Sequence, residues 1–204
     1  MTPPRKIILR DVIIPGPGRY SAALGLLLVS IFLVMAFPSG TAPDAVALVI
    51  QMFALIACIK AAEAPHRLVR ILVILAVLAV GLGLAPLVWG NELEKDIVRF
   101  TTFLLVFVSL PSIAVGLIRQ LRRDRAITIR TVFGALCIYM LLIITFASAF
   151  GVVSVLEGRD FFAQGPEANQ YGYFVYFATT TITTLGIGDN TPASDVGRAL
   201  TGIL

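Results

Sequence analysis

Charge is scarce in this chain. Asp, Glu, Lys and Arg make up only 14% of its 204 residues, against about 25% in an ordinary soluble domain. That is too little to clothe a water-soluble globule. Histidine and cysteine are nearly missing as well. His66 is the single histidine and has no partner in the sequence, and Cys58 and Cys137 are the only cysteines. Both cysteines fall in apolar stretches without metal-ligand spacing and read as two small buried residues. No HExxH, GxSxG or P-loop text occurs, and polar residues within the apolar stretches are few and isolated. Hydrolytic, nucleotide-driven and metal-dependent enzymes are thereby set aside, and no cofactor is called for. The balance is basic, with a sequence pI near 9.4, but the arginines lack the interleaved aromatics of a nucleic-acid surface. They flank apolar segments, where facing anionic lipid heads is sufficient, at about 1 kcal/mol per residue.

Apolar residues fill the space left by charge. They reach 58% of the chain, and the mean hydropathy is +0.93. A helix needs about 20 residues to cross a hydrocarbon core of about 30 Å. Five runs approach that length: 20–37, 45–62, 68–88, 101–118 and 131–155. An all-α membrane protein follows, with a proline-bearing tail at residues 1–19. Pro86 and Pro111 predict kinks, and Gly81 and Gly83 predict close helix approach.

Charge bias orients the spans. With the N-terminus cytoplasmic, the inner segments hold Arg5, Lys6, Arg10, Arg19, Lys60, Arg67, Arg70, Arg119, Arg122, Arg123, Arg125 and Arg130, which is 12 of the 16 basic residues. Such loops stay inside, so five spans place the tail of the chain outside. Nine of the 12 acids fall on the outer side: Asp44, Glu92, Glu94, Asp96, Glu157, Asp160, Glu167, Asp189 and Asp195. For Asp44 and the 92–96 group this is what remains where bases are rare. Glu157, Asp160 and Glu167 precede the segment of greatest interest and could equally draw cations toward it.

That segment is Thr183-Thr184-Leu185-Gly186-Ile187-Gly188-Asp189. Stripping water from a cation requires rings of backbone carbonyls in its place. To aim successive carbonyls at one axis, the backbone must alternate between ordinary and left-handed dihedrals. Glycine reaches the left-handed values at little cost, so glycines at alternate positions suit the task. Thr184 can add a hydroxyl at one end and Asp189 can anchor the other. A glycine-rich turn would also contain such text. Here, however, it follows an aromatic and threonine-rich stretch, 171–183, that is too short to span a bilayer. That stretch suits a re-entrant helix whose C-terminal dipole end favours a cation.

The stretch YFVYFATTTITTLGIGDNTP, from Tyr173 to Pro192, resembles the pore region of bacterial potassium channels. Gly197-Arg198-Ala199-Leu200 resembles the start of their inner helix. The resemblance covers about 30 residues closely, reaches back less closely to Thr131, and is silent on residues 1–118. It implies a homotetramer in a bacterial inner membrane that conducts K⁺ passively. Ions would bind at the carbonyls of Thr184, Leu185, Gly186 and Ile187, with Gly188 at the outer mouth. Thr183, Asp189, Thr180, Tyr176 and Phe177 would support them. Two positions depart from the family. Ile187 stands where tyrosine is usual, which removes a hydroxyl that ties the filter to its surroundings. Thr180 stands where some relatives carry a glutamate. A weakly selective cation channel is therefore the alternative.

Four spans before a pore raise the question of a voltage sensor. Arg119, Arg122 and Arg125 recur at every third position, but Asp124 interrupts them and the run 101–118 carries no charge. A sensor needs its arginines within the field, so these read as a cytoplasmic linker. The expected organisation is a four-helix domain over residues 1–126 and a pore domain over 127–204. Residues 196–204 form only the first two turns of the expected inner helix, so the reading frame is expected to continue. A non-conducting regulatory subunit is the further alternative if it does not.

Overall fold

The computed structural model of the chain describes residues 19–36, 41–61, 70, 71, 73–75, 77, 78, 81, 92–124, 129–168 and 170–204. Among them are six helices: α1 (Arg19–Ala36), α2 (Thr41–Ala61), α3 (Glu92–Asp124), α4 (Ile129–Glu157), α5 (Tyr171–Ile182) and α6 (Asp195–Ile203). A short 3₁₀ turn, Pro166–Ala168, precedes α5. The only extended pairing among the described residues is an isolated antiparallel bridge between Phe162 and Pro192. The protein is an all-α membrane protein. The expected tail, most of the expected span 68–88, His66 and Pro86 lie outside the described residues.

Two described helices are long and apolar enough to cross a bilayer, over Thr102–Arg122 and Thr131–Glu157. The apolar parts of α1 and α2 are shorter, at Tyr20–Ala36 and Val49–Ala61. α3 exceeds its expected bounds at both ends. Its 33 residues give about 50 Å of helix at 1.5 Å per residue. The 92–96 acids and Arg119 and Arg122 therefore belong to the helix itself, where a loop and a linker were expected. Pro111 lies inside α3, which continues past it. Nearby, Ser109 Oγ donates to the Val106 carbonyl at 2.8 Å and Ser112 Oγ to that of Val108 at 3.1 Å.

Small residues govern how the helices meet. Lipid tails are as apolar as leucine, so packing and interhelical hydrogen bonds drive association in place of the hydrophobic effect. Ala23, Ala54, Cys58 and Cys137 are fully buried in one cluster with Leu27, Leu55, Leu105, Ile113 and Leu141. The expected approach at Gly81 is not seen: among the described residues nothing lies within 4 Å of a Cβ built there. Gly134 on α4 is the tight position instead, with Leu117 of α3 2.6 Å from where a Cβ would stand.

Polar contacts fix the helix directions. Gln120 Nε2 donates to the Ala61 carbonyl at 2.9 Å, which places the ends of α2 and α3 together. Cys137 Sγ donates to the Tyr20 carbonyl at 3.5 Å, which places the beginnings of α1 and α4 at that same end. α2 and α3 therefore run parallel to each other and antiparallel to α1 and α4. Lys60, Arg119 and Arg122 sit at this end. At the other end a second cluster joins Val34 of α1 and Phe150 of α4 to α5. Lipid-type surfaces remain on the outside, where Leu28, Val29, Phe32, Phe53 and Phe107 are exposed.

Candidate functional site

α5 is 12 residues long, about 18 Å, and its buried face decides where it lies. Phe174, Val175, Phe177 and Ala178 point inward. Phe177 packs against Phe150 of α4 at 5.4 Å between ring centroids and against Phe162 at 5.2 Å. Phe161 completes the set, 4.8 Å from Phe150 and edge-on to Phe174 at 5.8 Å. Such ring pairs are worth about 0.5–1.5 kcal/mol each beyond area burial. Five phenylalanines from three segments thus form the platform behind α5. Of these, only Phe177 was singled out from sequence. The Phe161-Phe162 pair ahead of the short helix was the available signal.

The N-terminus of α5 abuts α1. A Cβ on Gly172 would lie 2.8 Å from the Val34 carbonyl oxygen, so only glycine fits between the two backbones. At its other end the helix closes on Thr183, whose N–H donates to the Thr179 carbonyl at 3.1 Å. The Thr183 hydroxyl donates to that same carbonyl at 2.7 Å. The following loop then folds back on the helix end. Thr184 N–H reaches the Thr181 carbonyl at 2.9 Å, and Gly186 N–H reaches that of Thr180 at 3.1 Å. These bonds occupy carbonyls that a helix terminus leaves without intrahelical donors.

The loop backbone alternates. Thr184, Gly186 and Gly188 adopt left-handed φ values of 58°, 52° and 78°, while Leu185 and Ile187 between them do not. The two glycines were anticipated. Thr184 was expected to offer a carbonyl and a hydroxyl, not a left-handed backbone, and its φ is the single positive value among described non-glycine residues. A β-branched residue in this region is a genuine outlier, costing on the order of 1–3 kcal/mol. The alternation therefore begins at Thr184, two positions before the first glycine of the loop.

The remaining candidates divide by surroundings. Leu185 and Ile187 are exposed, at 68% and 57%. Thr180 is buried and its hydroxyl donates back to the Phe177 carbonyl at 3.1 Å. Its link to the loop is thus through its backbone. Asp189 accepts from the Asn190 N–H at 3.0 Å and lies beside the phenol of Tyr176, which brings the far end of the loop to the middle of α5. Beyond it, Ala163 N–H donates to the Thr191 carbonyl at 2.9 Å and Ala193 N–H to that of Phe161 at 2.8 Å. The chain leaving the loop is thereby paired with the one entering the platform. α6 then starts at Ser194, whose Oγ accepts from Gly197 N–H at 2.8 Å.

The acids before α5 do not converge. Glu157 pairs with Arg159 at 3.1 Å, Glu167 is exposed on the 3₁₀ turn, and no metal-binding group exists among the described residues. Gln120, which joins α2 to α3, was not anticipated either, since a single glutamine carries no sequence signal for a partner 59 residues away.

Residues 137–204 match the family model described as ion channel. The match takes in most of α4, all of α5, the alternating loop and α6. No curated protein and no solved structure matches the chain. The site thus lies within the stretch that matches this family model.

Proposed function

We propose that the chain is a subunit of a potassium-selective channel, four copies of which surround one conduction axis. The observation that carries this reading is the left-handed backbone at Thr184, Gly186 and Gly188. Alternation of this kind turns successive carbonyls toward one side of a strand. The carbonyls of Thr184, Leu185, Gly186 and Ile187 would replace the hydration shell of K⁺, and Gly188 would form the outer mouth. One chain supplies one strand and a ring needs several, hence the homotetramer. The exposure of Leu185 and Ile187 agrees with surfaces covered by neighbouring copies. Conduction is passive and needs neither a cofactor nor a catalytic group.

Charge supports the orientation. Lys60, Arg119 and Arg122 lie at the end shared by Tyr20 and Ala61, which we place in the cytoplasm. Asp189 and Asp195 lie at the opposite end, together with α5. The parallel course of α2 and α3 is in keeping with four crossings before α4. Residues 1–126 then buttress a pore-forming unit, 127–204, in the inner membrane of a bacterium.

Ile187 favours a second reading, a weakly selective cation channel, because its side chain offers no hydrogen bond to hold the carbonyl rings at one radius. The test is K⁺ and Na⁺ flux into liposomes containing the protein expressed from its complete reading frame. We expect K⁺ to exceed Na⁺ by at least tenfold. Comparable fluxes that Ile187→Tyr separates would establish the second reading. Absence of any cation flux would overturn both.

A further inference from the structure

The segment between α4 and α5 reaches past the platform to hold the chain beyond Asp189. Phe161 and Phe162 are anchored among the buried rings, and the Phe162 carbonyl accepts from Gly165 N–H at 3.4 Å, closing a turn. Gln164 stands at the corner of that turn. Its Oε1 accepts from Thr191 N–H at 3.1 Å, and its Nε2 donates to Thr191 Oγ1 at 3.3 Å. One carboxamide thus takes both the backbone and the hydroxyl of a residue two positions after Asp189. Gln164 is exposed, so a contribution to the packed interior is not its role. Its two bonds form the rung of the Phe161–Gln164 and Thr191–Ala193 pairing that lies nearest the loop.

We propose that Gln164 is a positioning residue for the outer end of the ion path, acting through Thr191. The inference rests on the reading of residues 184–188 as that path. Asp189 is held by the Asn190 N–H beside Tyr176 of α5, and Thr191 by Gln164. The two residues between which the chain turns away from the loop are therefore both tied. When external ions are few, the outer carbonyls lose the cation that offsets their mutual repulsion. Geometry there then depends on these ties.

The test compares the wild type with Gln164→Ala in liposomes containing the full-length protein. The variant keeps the Ala163–Thr191 and Ala193–Phe161 bonds and should assemble normally. Two partly exposed neutral hydrogen bonds correspond to about a tenfold shift in an equilibrium. Current or flux should therefore decay about five- to tenfold faster at low external K⁺, with the difference closing at high K⁺. Gln164→Glu, which retains the acceptor for Thr191 N–H, should recover part of the loss. Hydrogen exchange supplies a readout independent of conduction: amides 188–191 should exchange about tenfold faster in Gln164→Ala, while those of α5 stay unchanged. Unaltered exchange, or altered exchange with K⁺-independent decay in a conducting wild type, would overturn the assignment. A wild type that passes no cation would instead sink the channel reading beneath it, leaving exchange to decide whether Gln164 holds this segment.

Discussion

Gly186→Ala isolates the backbone requirement of the loop from its packing. Nothing lies within 4 Å of a Cβ at this position, and the glycine φ is 52°. Added bulk therefore meets open space within the subunit, and the cost is conformational. An L-residue in the left-handed region costs about 1–2 kcal/mol. In a fourfold assembly the same cost recurs in each subunit, so about 4–8 kcal/mol opposes the conducting geometry. At 1.36 kcal/mol per tenfold, that is a fall of about three to six orders of magnitude in its population. Gly25→Ala is the matched control: it too has nothing within 4 Å, but it lies inside α1 with no positive φ. Alanine in a helix interior is favoured over glycine by roughly 0.5–1 kcal/mol, so this variant should conduct normally. Flux would be measured at equal protein content, after confirming helicity and assembly by circular dichroism and size exclusion. Gly186→Ala should be folded and silent. Normal flux in a folded Gly186→Ala protein would refute the claim that the alternation builds the ion path.

Gly172→Val places a side chain where the Val34 carbonyl oxygen already stands 2.8 Å from a Cβ. Overpacking of this kind costs about 1–3 kcal/mol, and thermal unfolding in detergent should show a lower midpoint than for the control Gly25→Ala. An unchanged midpoint would mean that α1 does not bear on α5 in the assembled protein. Tyr176→Phe removes the hydroxyl that stands beside the Asp189 carboxylate while leaving the ring. Hydrogen bonds to a charged group are the stronger kind, so the K⁺ to Na⁺ flux ratio should fall by roughly threefold or more with assembly unaltered. An identical ratio would show that Asp189 needs no anchor on α5.

Much of the architecture was legible because it follows from local composition. Apolar runs located α1, α2, α3 and α4, and the short aromatic stretch located α5 within a residue of its bounds. The ends of α3 were not legible, since hydropathy marks the apolar window and not the hydrogen-bonded helix. The 92–96 acids and Arg119 and Arg122 stay helical despite their charge. Gly186 and Gly188 announced their conformation because glycine is the residue that adopts it cheaply. Thr184 shares that conformation and could not announce it, because the loop imposes it through the bonds of Thr183, Thr184 and Gly186 to α5. Contacts distant in sequence were equally hidden. Neither Phe162 against Pro192 nor Gln164 against Thr191 has a period or spacing to betray it.

The two buried clusters are not independent, because α1 and α4 belong to both. α1 contributes Tyr20, Ala23 and Leu27 to the first cluster and Val34 to the second, and Ile31 packs against both. α4 does likewise, with Cys137, Leu141 and Ile144 in one and Ile143, Ala147 and Phe150 in the other. A rigid helix shared by two packed clusters cannot shift in one without loading the other, because close-packed interiors transmit strain. α1 reaches α5 through Gly172 with no side chain to absorb a displacement. A movement of α1 by a few tenths of an ångström would therefore be delivered to the start of α5, whose other end holds the backbone of Thr183, Thr184 and Gly186. The first helix is thus in direct backbone contact with the helix that carries the loop.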